Sequence, residues 1–210
     1  KASFARIKEE RIISLPLVQS IPADKPINCN GLFTEKIWKS KVKTNLNNEQ
    51  FIIKGQKNWQ GREDLSLILR TAQHNTSLYL GLKIKDDKRI YSTLSELEQG
   101  QLMSDHIELV FKSNGQVYRY GIFILPTEAK VLPISKNQLP DGSIDAQWLP
   151  GTGGYNLEVE INNLDLEQYL YPLTIQIFDI DNNGDTNYDS VMATSPLKED
   201  IDELGLIKLN

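Results

Sequence analysis

Residues 104–123 read SDHIELVFKSNGQVYRYGIF, and the fold follows from how this stretch must pair with itself. Ile107, Leu109 and Phe111 alternate with His106, Glu108 and Lys112. A period of two puts apolar side chains on one face of a strand and polar ones on the other. Asn114-Gly115 comes next, then a second alternating run over 117–124. Asn-Gly between such runs predicts a two-residue hairpin turn, because both turn positions need positive φ. The turn sets the register: Phe111 faces Tyr118, Leu109 faces Tyr120 and Ile107 faces Ile122. Glu108 and Arg119 then fall diagonal to one another on the outer face, close enough to interact.

Working outward, residues 77–87 (SLYLGLKIKDD) send Leu78, Leu80, Leu82 and Ile84 one way and Tyr79, Lys83 and Lys85 the other. Runs at 51–54, 65–70, 130–134, 155–161, 173–180 and 204–209 read as further strands. In 155–161 the apolar Tyr155, Leu157, Val159 and Ile161 point inward, and Asn156, Glu158 and Glu160 point to solvent. Residues 26–41 (PINCNGLFTEKIWKSK) predict a strand, a turn at Asn30-Gly31 and one helical turn with Trp38 buried. The connection 86–104 has helical character at 92–99. Three loops stand out: 56–64 with Trp59, the Gly- and Pro-rich 139–154 with Trp148, and the acidic 181–189. Nine or ten short strands with turn signals throughout predict an all-β chain, an antiparallel β-sandwich. Residues 1–20 predict a short N-terminal helix ending near Leu15-Pro16 and a linker; 21–210 are the sandwich, entered through the proline-containing 21–26.

A chain of 210 residues suits one domain with a substantial core. Its net charge of −5 and pI near 5.2 exclude a general nucleic-acid binder, which needs a basic surface for phosphates. No apolar run reaches the length of a membrane span. Cys29 is alone, which excludes an internal disulfide and a cysteine-rich zinc site. The chain starts at Lys1 without Met or signal peptide, so a mature chain or an excised segment is expected. With two histidines, His74 and His106, and no nucleophile-elbow, zinc-protease or phosphate-loop motif, the sequence reads as non-catalytic.

The pieces PINCNGLFTEKIW, SLYLGLKIKDD, SDHIELVF, GYNLEVEI, LTIQIFDIDNNG and LGLIKL, in this order over residues 26–210, resemble the family 9 carbohydrate-binding modules. A narrower resemblance, in SLYLGLKIKDD, SDHIELVF, YRYGIF, GGYNLEVEI and IFDIDNNGDTN, is to the extracytoplasmic sensor domains of proteobacterial membrane histidine kinases. That likeness implies a periplasmic ligand-sensing domain of a membrane-anchored parent in two-component signalling, with residues 1–19 as a membrane-proximal helix. A secreted or cell-surface carbohydrate-binding module is the alternative. A structural domain that binds another extracytoplasmic protein is the third. Some distant relatives bind haem, and His106 beside Met103 invites that comparison, although both also read as sheet-face or loop residues.

The resemblance assigns the polar spots of a sugar site to Glu108, Arg119 and Gln176. Alternation independently places Gln176 opposite the apolar Leu173, Ile175 and Ile177. Carboxylate, guanidinium and amide make paired hydrogen bonds to vicinal hydroxyls; a cross-strand salt bridge beside a solvated Gln is the competing reading. The family's two sugar-stacking tryptophans are missing, since Leu102 and Met103 precede the first motif strand and no aromatic residue follows Tyr188. Trp59, Tyr91 and Trp148 are the remaining candidates for a ligand platform, or else rim residues of the sandwich. Asp179, Asp181, Asn183 and Asp185 alternate around Gly184, the pattern of a calcium loop without its twelfth-position Glu, where Ser190 stands. A polar turn without metal has the same composition. Asp86, Asp87 and Asp105 form a second, weaker oxygen cluster or a set of solvated caps.

Overall fold

Hydrophobic alternation becomes thirteen strands in the computed structural model, which describes residues 18–100, 103–166, 170–182, 188–195 and 205–209. In chain order they are β1 (Val18–Pro22), β2 (Thr44–Leu46), β3 (Ile52–Lys54), β4 (Leu65–His74), β5 (Ser77–Asp86), β6 (His106–Ser113) and β7 (Gln116–Ile124). Then come β8 (Ala129–Pro133), β9 (Ile144–Gly151), β10 (Gly154–Ile161), β11 (Leu170–Asp179), β12 (Ser190–Ala193) and β13 (Leu206–Lys208). The α-helix among the described residues, α1 (Leu94–Glu98), lies in the β5–β6 connection where helical character is expected. It starts with a capping box, Thr93 accepting from the Glu96 N–H and Glu96 accepting from the Thr93 N–H.

One sheet runs β1-β4-β5-β10-β9, with β2 also on β4. The other runs β8-β7-β6-β11-β12-β3. Strand β13 joins them, antiparallel to Leu170–Pro172 of β11 and parallel to Val18–Gln19 of β1. The rest of β1, from Ser20, runs parallel to β4, so this strand changes sheets within five residues. Between the sheets lies one continuous core. Leu78, Leu80, Leu82 and Ile84 of β5 and Leu157, Val159 and Ile161 of β10 belong to the same cluster as Ile107, Leu109, Phe111, Ile122, Ile175 and Ile177. Each such side chain stabilises the fold by roughly 1.5–3 kcal/mol.

The hairpin has the expected register, Phe111 opposite Tyr118, Leu109 opposite Tyr120 and Ile107 opposite Ile122. Asn114 and Gly115 both take positive φ, 49° and 73°. Elsewhere the structure corrects the reading. Residues 144–151 are strand β9 rather than loop, with Ala146 and Trp148 turned into the core. At the edge of its sheet, β9 tolerates Pro150. Residues 18–22 are strand, not linker, and the helix expected for residues 1–16 lies outside the described residues.

The outer face of β10 is not solvated either. Residues 27–38 fold across it, and the Trp38 ring lies over Gly81 so closely that a Cβ there would sit 3.1 Å from it. Ile27, Trp38, Ala72 and Tyr79 form a second small core beneath this cover. Glu158 is 0% exposed and accepts the N–H groups of Asn30, at 2.8 Å, and Gly31, at 2.6 Å. Burial raises its pKa, and these two N–H groups partly oppose the shift.

A candidate binding face and a carboxylate cluster

Strand pairing lays out the outer face of the second sheet in rungs. One rung carries Phe178, His106 and Phe123 on β11, β6 and β7. The next carries Ala193, Gln176, Glu108, Gly121 and Leu132 on β12, β11, β6, β7 and β8. The next pairs Thr174 with Val110 and Val110 with Arg119. The structure therefore brings Glu108, Arg119 and Gln176 together, Gln176 level with Glu108 and Arg119 one rung away.

Arg119 grips Glu108 with two donors, Nε at 2.7 Å and Nη2, both to Oε2. The pair is lopsided. The Glu108 side chain is 3% exposed and that of Arg119 is 42% exposed. Gln176 is buried as well, so it is not a solvated residue. Arg119 is the member of the trio that meets solvent.

Aromatic rings cover much of the remaining face. His106 is stacked between Phe178, at 4.5 Å and 3°, and Phe123, at 5.1 Å and 23°. Tyr188 packs edge-on against Phe178 and tilted against His106. Burial pushes the Tyr188 hydroxyl up to about 12, and the nearby Glu108 charge adds to the shift. Lys54 stands over the Tyr188 ring, its Nζ 5.4 Å from the centroid. Gly121 leaves the space that the Phe123 ring occupies, since a Cβ there would lie 2.6 Å from it. His106 donates from Nδ1 to the Ser104 carbonyl at 2.9 Å, and its Nε2 lies 3.8 Å from Glu108. It is a fully enclosed sheet-face residue. The stack was readable only as isolated letters, because its rings come from three strands and a loop.

The sequence candidates for an aromatic platform go elsewhere. Trp59 donates its indole N–H to the Leu65 carbonyl at 2.9 Å and packs on the core margin. Trp148, on β9 of the other sheet, is buried edge-on against Tyr155, and Tyr91 lies against it at 5.7 Å. None of the three joins the Glu108 trio.

A second constellation is acidic. Asp179 ends β11, Asp181 follows it, Asp86 ends β5, Asp105 precedes β6 and Asp64 precedes β4. Their carboxylates fall into two groups, Asp64 with Asp179 and Asp181, and Asp86 with Asp105 and Asp179. Within each group the ligand atoms lie within 4.8 Å of one another. Asp64, Asp86, Asp105 and Asp179 are all buried. Asp105 accepts the N–H groups of Ile90, at 2.6 Å, and Ile180, at 2.9 Å. Asp179 accepts the Ser190 hydroxyl through Oδ2, while its Oδ1 and the Oδ1 of Asp181 are buried with no hydrogen-bond partner. Burial first, and the neighbouring carboxylates next, push Asp179 up to about 8 and raise Asp105 strongly. Burial also raises Asp86.

Asp179 and Asp181 of the expected calcium loop are thus joined by residues distant in sequence, while Asn183 and Asp185 lie outside the described residues. Asp86 and Asp105 are buried members of this cluster rather than solvated caps. Asp64 was missed because nothing local marks it.

Sheet order, core and face together define the class: a two-sheet, mainly antiparallel β-sandwich. No protein-family model matches the sequence, and no curated protein matches it. Solved structures that share the fold include two of a carbohydrate-binding module of family 9 from Caldicellulosiruptor kristjanssonii. The complex with cellotriose aligns with a TM-score of 0.63 and 10% identity over 91% of this chain and 93% of that one. The complex with glucose gives 0.63 and 10% over 93% and 96%. At that identity the likeness is one of fold.

Proposed function

We propose that this chain is a non-catalytic carbohydrate-binding domain whose ligand meets the outer face of β6, β7 and β11 at Arg119. The assembly of Glu108, Arg119 and Gln176 on one face carries this reading. Glu108 holds the guanidinium in place, and the donors it leaves free can fork across two vicinal hydroxyls. The fold neighbours support the reading because they were solved with cellotriose and glucose bound. Calorimetry with glucose, cello-oligosaccharides and a wider glycan panel tests it. Binding that weakens at least tenfold in a folded Arg119→Lys variant supports the assignment, and no binding across the panel in calcium-containing buffer overturns it.

A second reading is an extracytoplasmic sensor domain of a membrane-anchored histidine kinase. It rests on the likeness of SDHIELVF and IFDIDNNGDTN to such sensors rather than on the geometry of this face. The gene around this segment is the test. Absence of membrane spans and of a kinase region there removes the idea.

A divalent cation, calcium by its all-oxygen donors, belongs to the proposal as a structural group. Asp179 and Asp181 fit it, because each directs a buried, unpartnered oxygen that a cation would satisfy. Bound there, the ion supplies the charge that lets these carboxylates stay ionised away from water.

A further inference from the structure

We infer that Asn114 is a site of spontaneous deamidation in the folded chain, and that the fold shields Asn30, which also stands before a glycine.

The chemistry belongs to the Asn-Gly pair. The backbone nitrogen of the glycine attacks the asparagine Cγ and gives up its proton. The Cγ–Nδ2 bond breaks, ammonia leaves with that proton, and a cyclic succinimide remains. Water then opens the ring at either carbonyl. Opening at Cγ gives aspartate; opening at the backbone carbonyl gives isoaspartate, with the main chain rerouted through the side chain. Glycine favours the attack because no Cβ screens its nitrogen and its backbone rotates freely.

Geometry separates the two pairs. Asn114 and Gly115 are both exposed at the tip of the β6–β7 hairpin. Nothing lies within 4 Å of where a Gly115 Cβ would be. Among the described residues no hydrogen bond holds the Asn114 side chain or the Gly115 N–H. The attack requires Asn114 to turn out of its left-handed conformation, φ 49°, and such a movement at a solvated tip costs little.

Asn30 and Gly31 are held instead. The Gly31 N–H, whose nitrogen would have to attack, is donated to the buried Glu158 carboxylate at 2.6 Å. The Asn30 N–H goes to the same oxygen at 2.8 Å, and Asn30 Oδ1 accepts the Leu32 N–H at 2.9 Å. A Cβ on Gly31 would lie 2.9 Å from the Trp148 backbone, so this turn is also packed against β9. For Gly31 to react, Glu158 would have to give up a donor while remaining out of water.

The consequence falls on the hairpin. Asp-Gly suits a two-residue turn as Asn-Gly does. Isoaspartate adds a main-chain carbon between β6 and β7, and the pairing that sets Arg119 near Glu108 no longer closes over the same turn.

Peptide mapping by mass spectrometry of the whole chain, sampled during incubation in mildly alkaline buffer, tests this. The Asn114 peptide should show the mass gain of an amide turned acid, with isoaspartate identified by electron-based fragmentation. In the folded chain Asn114 should convert at least about tenfold faster than Asn30, because a closed segment reacts only as often as it opens. In urea the two should convert at similar rates. Gly115→Asn, which keeps the turn, should slow the loss at residue 114. A folded chain whose Asn114 keeps its amide while the urea-unfolded chain loses it overturns the inference. Equal conversion of Asn30 and Asn114 in the folded chain overturns it as well.

Discussion

The guanidinium of Arg119 lies over the carboxylate of Glu108, one side chain largely in water and the other almost wholly out of it. Removing the exposed partner therefore strands the buried one. Arg119→Met is expected to destabilise the protein by about 2–3 kcal/mol, short of a fully buried pair because the Arg side is solvated. Adding Glu108→Met should recover most of that loss, as replacing both charges removes the stranded group. Urea unfolding of the two single variants and the double variant checks this. A double variant no more stable than Arg119→Met would show that the carboxylate is not the source of the cost.

Gly115 sits at φ 73° with open space where a Cβ would go, so only the backbone resists substitution there. Gly115→Val should lose about 1–2 kcal/mol, the price of a β-branched residue in the left-handed region. Gly115→Asn should be close to neutral, since Asn visits that region readily. Equal melting temperatures for Val and Asn would contradict the turn assignment.

Calcium is expected to raise the melting temperature. A ligand at a hundred times its dissociation constant adds about 2.7 kcal/mol per site, which for a chain of this size is roughly 5–10 °C. In Asp181→Ala the rise should shrink, with the chelator-treated baseline little changed. Scanning calorimetry with and without the ion makes the comparison, and identical curves for the wild type would reject the site.

In chelator the dependence on pH has a definite sign. Burial raises the Asp179 carboxyl from its ordinary 3.8 to about 8, and raises Asp86 and Asp105 as well. The folded chain then keeps protons that the unfolded chain releases, so this contribution is full below pH 3.8 and is lost as pH rises through about 8. The chelated protein should melt lower at pH 9 than at pH 5. Saturating calcium, which takes the place of those protons, should flatten the trend. A chelated protein that gains stability across that interval would refute the assignment of buried, proton-holding aspartates.

What could be read from the letters depended on how local the cause was. The β6–β7 hairpin and its Glu108–Arg119 pair were legible because Asn114-Gly115 fixes the register within twenty residues. The inward faces of β5 and β10 were legible from alternation alone. Gln176 came from family likeness, and the structure set it beside Glu108. Strand β9 was hidden by Pro150 and its neighbouring glycines, which signal a loop but are harmless on an edge. The burial of Glu158 was not legible, because its cover arrives from residues 30–31, at the far end of the sequence from β10. The carboxylate cluster was half legible: spacing exposed Asp179 and Asp181, while Asp64 joins them only through the fold.

The seam between β1 and β13 has a mechanical meaning. The two strands run parallel, Val18 beside Ile207 and Gln19 beside Lys208. A pull toward the chain's beginning on β1, and toward its end on β13, drags them past each other lengthwise. Hydrogen bonds loaded this way share the force and must break together, whereas bonds peeled from one end of a hairpin break singly. The sandwich is therefore built to resist tension applied through its own two ends.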